Sequence, residues 1–200
     1  MTSAADAIIG LYRRQALAWT TARGTRLTEQ SWLDKYMLLL PPHATVLDIG
    51  CGAGEPIARY MTNCGHEVVG VDSAPEMLAL FQHNFPGAQT HVADMRQLQL
   101  GRRFSGLIAW DSFFHLTAAW QRLMFPIFAA HAEPLAPLLF TSGPEHGERM
   151  GLLEGEPFYH ASLAPCEFHR LLDANGFDLI EHVAEDPACT GHTVWLARRR

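Results

Sequence analysis

The segment from Val46 to Gly54 constrains the fold of this chain more than any other feature of its sequence. It reads VLDIGCGAG, an apolar run followed by three closely spaced glycines. Glycines that directly follow a buried strand are typical of a tight turn into a helix, where the backbone can approach a ligand closely. The segment therefore predicts an open α/β sheet with a ligand site at the carboxyl end of its first strand.

The remaining sequence alternates between strand-like and helix-like patterns. Short apolar runs predict strands at 45–49, 68–71, 89–92, 104–110 and 135–141, with helices between them at 57–63, 77–84 and 120–131. Two helices precede the first strand, separated by a polar linker at 20–28. A capped helix after Pro165 and strand-like segments at 177–184 and 192–197 complete the pattern. We therefore expect a seven-stranded, mostly parallel sheet with helices on both faces and an antiparallel hairpin at its edge.

Composition narrows the class of protein. The chain has 200 residues, 48% of them hydrophobic, which suits one globular unit with a helical cap at 1–40 and a core at 41–200. A formal net charge of -6 disfavours a nucleic-acid partner, and no apolar stretch approaches the ~20 residues that span a membrane. Four widely spaced cysteines without a CxxC pair indicate reduced thiols. We expect a cytoplasmic protein, either a monomer or a homodimer.

The residues around the glycines disfavour two common phosphate-binding sites. A dinucleotide fingerprint needs a glycine three positions after Gly52, where Glu55 stands, and a carboxylate there would face a pyrophosphate. A P-loop needs a GK[ST] sequence, whereas the only lysine of the chain is Lys35. The glycine turn is therefore suited to a ligand without phosphates.

Three carboxylates describe that ligand more closely. Asp72 ends the second predicted strand about 20 positions after the glycines, the spacing that brings a carboxylate to the hydroxyls of a ribose. Asp94 follows the third strand, where it could accept a hydrogen bond from an adenine amino group. Asp48, at the end of the first strand, suits a cation better than a phosphate. Adenosine with a cationic, phosphate-free tail describes S-adenosylmethionine (SAM).

With these motifs the sequence resembles the class I SAM-dependent methyltransferases, especially bacterial members that act on small molecules. The resemblance extends over nearly the whole chain and rests on VLDIGCGAG, on VGVD at 69–72, on VADM at 92–95 and on LIAWD at 107–111. It implies a Rossmann-like methyltransferase fold with strand order 3-2-1-4-5-7-6. It also implies a set of cofactor-binding residues: Trp19, Arg23, Asp48, Gly50, Gly52, Gly54, Asp72, Ser73, Met77, Asp94, Met95 and Trp110.

The resemblance assigns parts of the cofactor to these residues. Asp48 and the glycines would hold the methionine part, Asp72 the ribose, and Asp94 with the backbone of Met95 the adenine. Arg23 could pair with the carboxylate of the cofactor. A plain tight turn for the glycines, helix capping for the two later aspartates and core packing for Trp19 are the simpler interpretations.

The segment after the fourth strand and a later connection offer candidates for the acceptor side. His115 could act as a general base near neutral pH, and Asp111 could orient it. The glycine-rich connection at 143–161 could close as a lid, with Tyr159 and His160 as its contacts to the acceptor. The alternatives are a histidine bonded to the backbone and solvated loop residues.

Together these observations predict a SAM-dependent methyltransferase that methylates oxygen or nitrogen of a small-molecule acceptor by in-line transfer. No metal is expected, because the eleven histidines show neither HxxxH nor HxH spacing. Two other functions stay open: a non-catalytic module that binds SAM or S-adenosylhomocysteine (SAH), and a nicotinamide-dependent oxidoreductase. The aromatic residues near His115 disfavour the first, and Glu55 disfavours the second.

Overall fold

A computed structural model describes residues 4–200 and contains one seven-stranded sheet and a separate hairpin. The sheet has the order β3-β2-β1-β4-β5-β9-β8, and β6 pairs only with β7. The strands span Thr45–Ile49 (β1), Glu67–Asp72 (β2), Thr90–Val92 (β3), Gly106–Ala109 (β4), Pro137–Ser142 (β5), Gly147–Leu153 (β6), Glu156–Ser162 (β7), Phe177–Asp186 (β8) and His192–Arg199 (β9).

The first five strands are parallel, whereas β9 runs antiparallel to both β5 and β8. The last two strands occupy the places of the sixth and seventh predicted strands. The predicted order and the antiparallel closing hairpin are therefore confirmed.

Residues 4–200 contain six α-helices, and the last five of them pack on the sheet. They span Ala4–Arg23 (α1), Gln30–Met37 (α2), Ile57–Asn63 (α3), Pro75–Asn84 (α4), Ala118–His131 (α5) and Pro165–Ala174 (α6). The first of these runs further than the sequence pattern predicts, since Thr20 and Thr21 are helical. Their hydroxyls donate to carbonyl oxygens one turn earlier, each at 2.8 Å. No helix among residues 4–200 is long and apolar enough to cross a bilayer.

Buried side chains fill both faces of the sheet. On one face, Phe113, Phe140 and Trp195 pack with residues of α5 and α6. Phe140 and Trp195 are direct neighbours on β5 and β9, and their rings stack at 5.8 Å. On the other face, Trp32 and Tyr36 of α2 pack against the first strands. Helices on both faces leave the strand ends as the place for a ligand.

The connection expected as a lid at 143–161 contains the β6–β7 hairpin. Its two-residue turn is Glu154–Gly155, with φ of 49° and 79°, the backbone that a tight hairpin with the normal twist requires. The hairpin packs on α1 through Leu153, Phe158 and Tyr159. This connection is therefore an ordered β-hairpin packed on α1 rather than an irregular loop.

Candidate active site

One cleft lies between α1 and the carboxyl ends of β1, β2 and β4. Every cofactor-binding residue expected from the sequence lines this cleft, and so do two candidates for the acceptor side, Asp111 and His115. The parallel strands explain this gathering, because their carboxyl ends meet at the same edge of the sheet. His160 and Tyr159, the other two acceptor-side candidates, lie beside the cleft and are described below.

The glycines of the turn have different local roles. Gly50 has φ of +81°, and a Cβ there would lie 2.2 Å from Cβ of Ser112, so this position has no room for a side chain. Gly52 also has a positive φ, +53°, but its Cβ would meet no atom closer than the Met77 sulfur at 4.0 Å. Gly50 therefore allows close packing of the turn, while the space beside Gly52 belongs to the cleft.

The carboxylate of Asp72 connects the glycine turn to the start of α4. It accepts hydrogen bonds from the backbone N–H of Gly52 at 3.0 Å and of Ala74 at 2.8 Å. Burial raises the pKa of Asp72, and the backbone hydrogen bonds oppose that shift. A carboxylate oxygen can accept two hydrogen bonds, so each oxygen of Asp72 has capacity left for a ribose hydroxyl.

Asp48 gives the cleft a buried acid. Its side chain is only 4% exposed. Burial raises the pKa of Asp48 to about 7, and the nearby Asp72 adds to the shift. A cation bound beside Asp48 would favour the charged carboxylate and draw the proton off. This side chain is suited to a positively charged ligand group.

Asp94 and Arg23 already have partners in the structure. Asp94 accepts the backbone N–H of Arg96 at 2.9 Å, capping the short 3-10 helix Met95–Gln97, and pairs with the guanidinium of the same arginine. Arg96 also reaches Asp6 of α1 at 2.8 Å. Arg23 pairs with the fully buried Glu29. Capping is thus one observed role of Asp94, and the charge of Arg23 is balanced within the chain.

Trp19 is a half-buried member of an aromatic group over the cleft. Its ring contacts Tyr12 edge to face at 5.6 Å and Phe158 at 6.0 Å. Packing and contact with a ligand are therefore compatible, because the same side chain lines the cleft.

His115 is bonded at both ring nitrogens. Nδ1 lies 2.8 Å from the carbonyl oxygen of Tyr159, and Nε2 lies 2.9 Å from the hydroxyl of Tyr12. Because a carbonyl only accepts, Nδ1 carries the proton, and the neutral ring accepts the Tyr12 hydroxyl proton at Nε2. Burial lowers the pKa of His115 to about 4, which favours this neutral form.

Tyr12 is therefore a site residue that the motif analysis does not assign. Its side chain lines the cleft, and burial raises the pKa of its hydroxyl well above the ordinary value. Its partner His115 is 103 positions away, so no local pattern pairs the two. The only sequence signal is the place of Tyr12 on the helix expected to cover the ligand.

Asp111 pairs with a histidine other than the expected one. Its carboxylate lies 3.0 Å from Nε2 of His192, at the start of β9. Both ring nitrogens of His115 have the partners described above. Asp111 therefore makes no hydrogen bond to His115 that could orient its ring, although both side chains line the cleft.

His160 lines a second cavity, beside the first. Its ring lies 4.9 Å from that of His115 and 5.0 Å from that of Phe114, between the two cavities. Burial lowers the pKa of His160. Tyr159 is buried against α1, and its contribution to the site is the carbonyl that fixes His115.

Within residues 4–200 no group of three His, Cys, Asp or Glu side chains is arranged to hold a metal ion.

Comparison with known proteins gives matches in sequence. Residues 46–134 match the family model described as "Methyltransferase domain". A dTDP-3-amino-3,6-dideoxy-alpha-D-glucopyranose N,N-dimethyltransferase from Streptomyces fradiae is 36% identical over 101 residues, which are 47% of this chain and 37% of that protein. A dTDP-3-amino-3,4,6-trideoxy-alpha-D-glucopyranose N,N-dimethyltransferase from Streptomyces venezuelae is 29% identical over 96 residues, 47% of this chain and 40% of that protein. The match thus spans less than half the length of these relatives.

Solved structures match over nearly the whole chain. An amino pentose methyltransferase from Micromonospora echinaspora, solved with SAM, has a TM-score of 0.73 and 22% identity, with coverage of 92% of this chain and 95% of that one. A magnesium protoporphyrin IX methyltransferase from Synechocystis PCC 6803, also with SAM, has a TM-score of 0.77 and 16% identity, with coverage of 100% and 99%. The predicted class I methyltransferase fold is confirmed by these structures. The resemblance to methyltransferases is confirmed by the family-model match over residues 46–134.

Proposed function

We propose that this chain, which has the class I methyltransferase fold, transfers the methyl group of SAM to an amine of a small molecule. One observation carries the proposal: a single cleft is lined both by the expected cofactor-binding residues and by the Tyr12–His115 pair. The curated relatives are named as N,N-dimethyltransferases, which favours nitrogen over oxygen as the methylated atom.

The residues of the cleft fit SAM as the methyl donor. The open space beside Gly52 offers room for the methionine part, and the buried Asp48 faces the same cleft as a partner for its positive charge. Asp72, fixed by two backbone N–H groups, is our candidate for the ribose hydroxyls. When bound, SAM supplies a methyl group that is already activated by its positive sulfur. The chain's own task is therefore mainly alignment and exclusion of water.

Tyr12 is the candidate for contact with the acceptor amine. Because its hydroxyl donates to Nε2 of His115, the lone pairs of its oxygen are available to accept an N–H of the acceptor. Such a hydrogen bond would turn the nitrogen lone pair toward the methyl group. The methylated amine can leave the cleft in its ammonium form, so no side chain of the cleft has to store its proton.

The protonation of His115 limits its role as a base. With a pKa lowered to about 4 by burial, the ring is a weak proton acceptor at neutral pH. We therefore propose that His115 acts by orienting Tyr12 more than by storing a proton. Tyr12→Phe should then lower turnover about tenfold and leave the affinity for SAH within about twofold.

A screen with trideuteromethyl SAM tests the proposal. Amino sugars, including dTDP-3-amino-3,6-dideoxyglucose, and their hydroxyl counterparts would be incubated with the chain and analysed by mass spectrometry. We expect a labelled methyl group on at least one amine and on none of the hydroxyl counterparts. SAH binding without transfer to any acceptor would instead support the non-catalytic binding module.

A further inference from the structure

His192 contacts two residues that line the cleft, Trp110 and Asp111, and is absent from every sequence motif described above. It is the first residue of β9, and its ring packs on Trp110 at a centroid distance of 5.4 Å and an interplanar angle of 30°. Its Nε2 lies 3.0 Å from the carboxylate of Asp111, and its Nδ1 lies 2.8 Å from the carbonyl oxygen of Cys189. The ring thus joins the start of β9 to the end of β4.

These two partners set the protonation of the ring. A carboxylate and a carbonyl oxygen are both acceptors, so both ring nitrogens must carry a proton to make both hydrogen bonds. The hydroxyl of Thr190, 3.1 Å from Nδ1, can accept as well. The hydrogen bond to Asp111 raises the pKa of His192 and Glu29 adds to the shift, while Arg23 pairs with Glu29. Geometry and charge both favour the imidazolium.

The partner carboxylate is fixed on a strained backbone. Asp111 has φ of +47°, the left-handed region that residues other than glycine rarely adopt. Its N–H donates to Oγ1 of Thr141 on β5 at 2.9 Å. Strain of this kind persists only where surrounding contacts hold it, and it occurs often at functional sites. Here Thr141 and His192 supply the contacts, and the carboxylate lines the cleft together with Tyr12 and His115.

We propose that His192 is a positioning residue whose imidazolium holds the carboxylate of Asp111 in the cleft, where that carboxylate binds an N–H of the acceptor amine. The inference rests on the proposed function. It adds a charged hydrogen-bond acceptor to the Tyr12 hydroxyl on the acceptor side. It also assigns Asp111 a direct contact with the acceptor rather than the orientation of His115.

The proposal has a definite pH dependence. When the imidazolium loses one proton, the Nε2–H tautomer keeps a hydrogen bond from the uncharged ring to Asp111, and its Nδ1 can accept from the Thr190 hydroxyl. The Nδ1–H tautomer instead leaves a lone pair that faces the carboxylate. In either tautomer the attraction between the imidazolium and the carboxylate is lost, so Asp111 is held less firmly. Acceptor binding should therefore weaken as the pH rises through the pKa of His192, in contrast to the loss at low pH that protonation of the acceptor amine itself causes.

The first experiment needs no acceptor. Ring nitrogens of histidine would be labelled with ¹⁵N and titrated by NMR in the wild-type chain and in Asp111→Asn. We expect His192 to titrate above the ordinary value of about 6.5 in the wild type and clearly lower in Asp111→Asn. A ring that titrates at or below the ordinary value, or that ignores the substitution, would overturn the proposal.

The second experiment measures methylation of the amine that the wild type methylates best in the screen. His192→Gln keeps an N–H donor but does not titrate, whereas His192→Leu has neither, and His83→Gln on the exposed part of α4 is the matched control. We expect His192→Leu to raise the acceptor KM about tenfold or more with SAH affinity within about twofold. His192→Gln, which can donate a hydrogen bond but carries no charge, should have an acceptor KM between those of the wild type and His192→Leu and should lose the decline at high pH. His83→Gln should behave as the wild type.

An unchanged acceptor KM in a folded His192→Leu, or a retained alkaline decline in His192→Gln, would contradict the positioning role. Melting curves show whether a His192 variant has lost activity because it does not fold. In that case the NMR titration of the wild-type chain and of Asp111→Asn decides whether His192 is paired with Asp111. If the wild type binds SAH but methylates no amine, the proposed function fails. In that case the titration still establishes whether His192 holds Asp111.

Discussion

Gly52→Ala is the most discriminating change to the cofactor side of the cleft. The new methyl group would point into space in which the nearest neighbour is the Met77 sulfur at 4.0 Å. The folded chain therefore has room for it, but a ligand held against the turn does not. Gly87→Ala is the matched control, because Gly87 also has a positive φ, +90°, and no atom lies within 4 Å of its Cβ position.

Both substitutions place an alanine in left-handed backbone, but only Gly52 lies in the cleft. A left-handed alanine costs about 1–2 kcal/mol, which for a chain of this length lowers Tm by about 2–8 °C. Forcing an extra methyl group into a packed contact costs about 1–3 kcal/mol more, and at Gly52 this cost falls on the ligand. We therefore expect similar losses of Tm in both variants, but a Kd for SAH raised about five- to a hundredfold only in Gly52→Ala.

Calorimetric titration with SAH and a melting curve for each variant provide the measurement. A Kd for SAH in Gly52→Ala equal to that of Gly87→Ala would refute the placement of the ligand at the turn. A loss of Tm much larger in Gly52→Ala would instead show that the added methyl group disturbs the fold.

Further predictions concern three acidic or hydrogen-bonded groups. Asp72→Asn should weaken SAH binding about tenfold or more by calorimetry and lower stability by about 1–3 kcal/mol, because one oxygen that accepts a backbone N–H is replaced by a donor. Affinity for SAH should rise with pH through about 7 as Asp48 gives up its proton and can pair with the ammonium group of the ligand. Adenosine, which lacks that ammonium group, should show no such dependence, and Asp48→Asn should abolish it. The pKa of His115 in the folded chain, about 4, lies below the ordinary value of about 6.5, so the unfolded chain takes up this proton first as the pH falls. The stability that depends on the neutral ring is therefore complete above about 6.5 and is lost as the pH falls toward 4. His115→Asn should remove this part of the acid slope, roughly 3 kcal/mol, from denaturant curves measured against pH.

Local sequence patterns were sufficient to predict that the proposed cofactor-binding residues line one cleft. Asp48, Asp72 and Asp94 each follow a short apolar run, and parallel strands bring their carboxyl ends to one edge. The alternation of strands and helices thus predicts which residues share the cleft. It does not predict that Asp94 pairs with Arg96, because that contact depends on side-chain conformation.

The acceptor side depends on contacts between distant parts of the chain. Tyr12 meets His115 across 103 positions, and Asp111 meets His192 across 81. The second pair exists because β9 turns back antiparallel beside β5, which places its first residue next to the end of β4. Sequence reasoning chose His115 and Asp111 correctly as cleft residues but paired them with each other. Strand register and side-chain packing determine such pairs, and the hydrophobic periodicity of the sequence gives no information about them.

The sequence contains a turn pattern that predicts the β6–β7 hairpin, but the glycine content of the segment favoured a different interpretation. Glu154–Gly155 is a two-residue turn of acid and glycine between segments that can pair, which is a recognised hairpin pattern. Gly147 and Gly151, both within β6, favoured the interpretation as a flexible connection instead. Pairing with β7 and packing of that strand on α1 outweigh their low strand propensity.

Calorimetric titration of the wild-type chain with SAH and with NAD tests the central claim, that this cleft is a SAM site. The glycine turn is followed by Glu55, which lines the cleft and would face a pyrophosphate, whereas Asp48 and Asp72 suit a phosphate-free nucleoside that carries an ammonium group. We expect SAH to bind with one molecule per chain and NAD to give no measurable heat. Binding of NAD as tight as that of SAH would contradict the account.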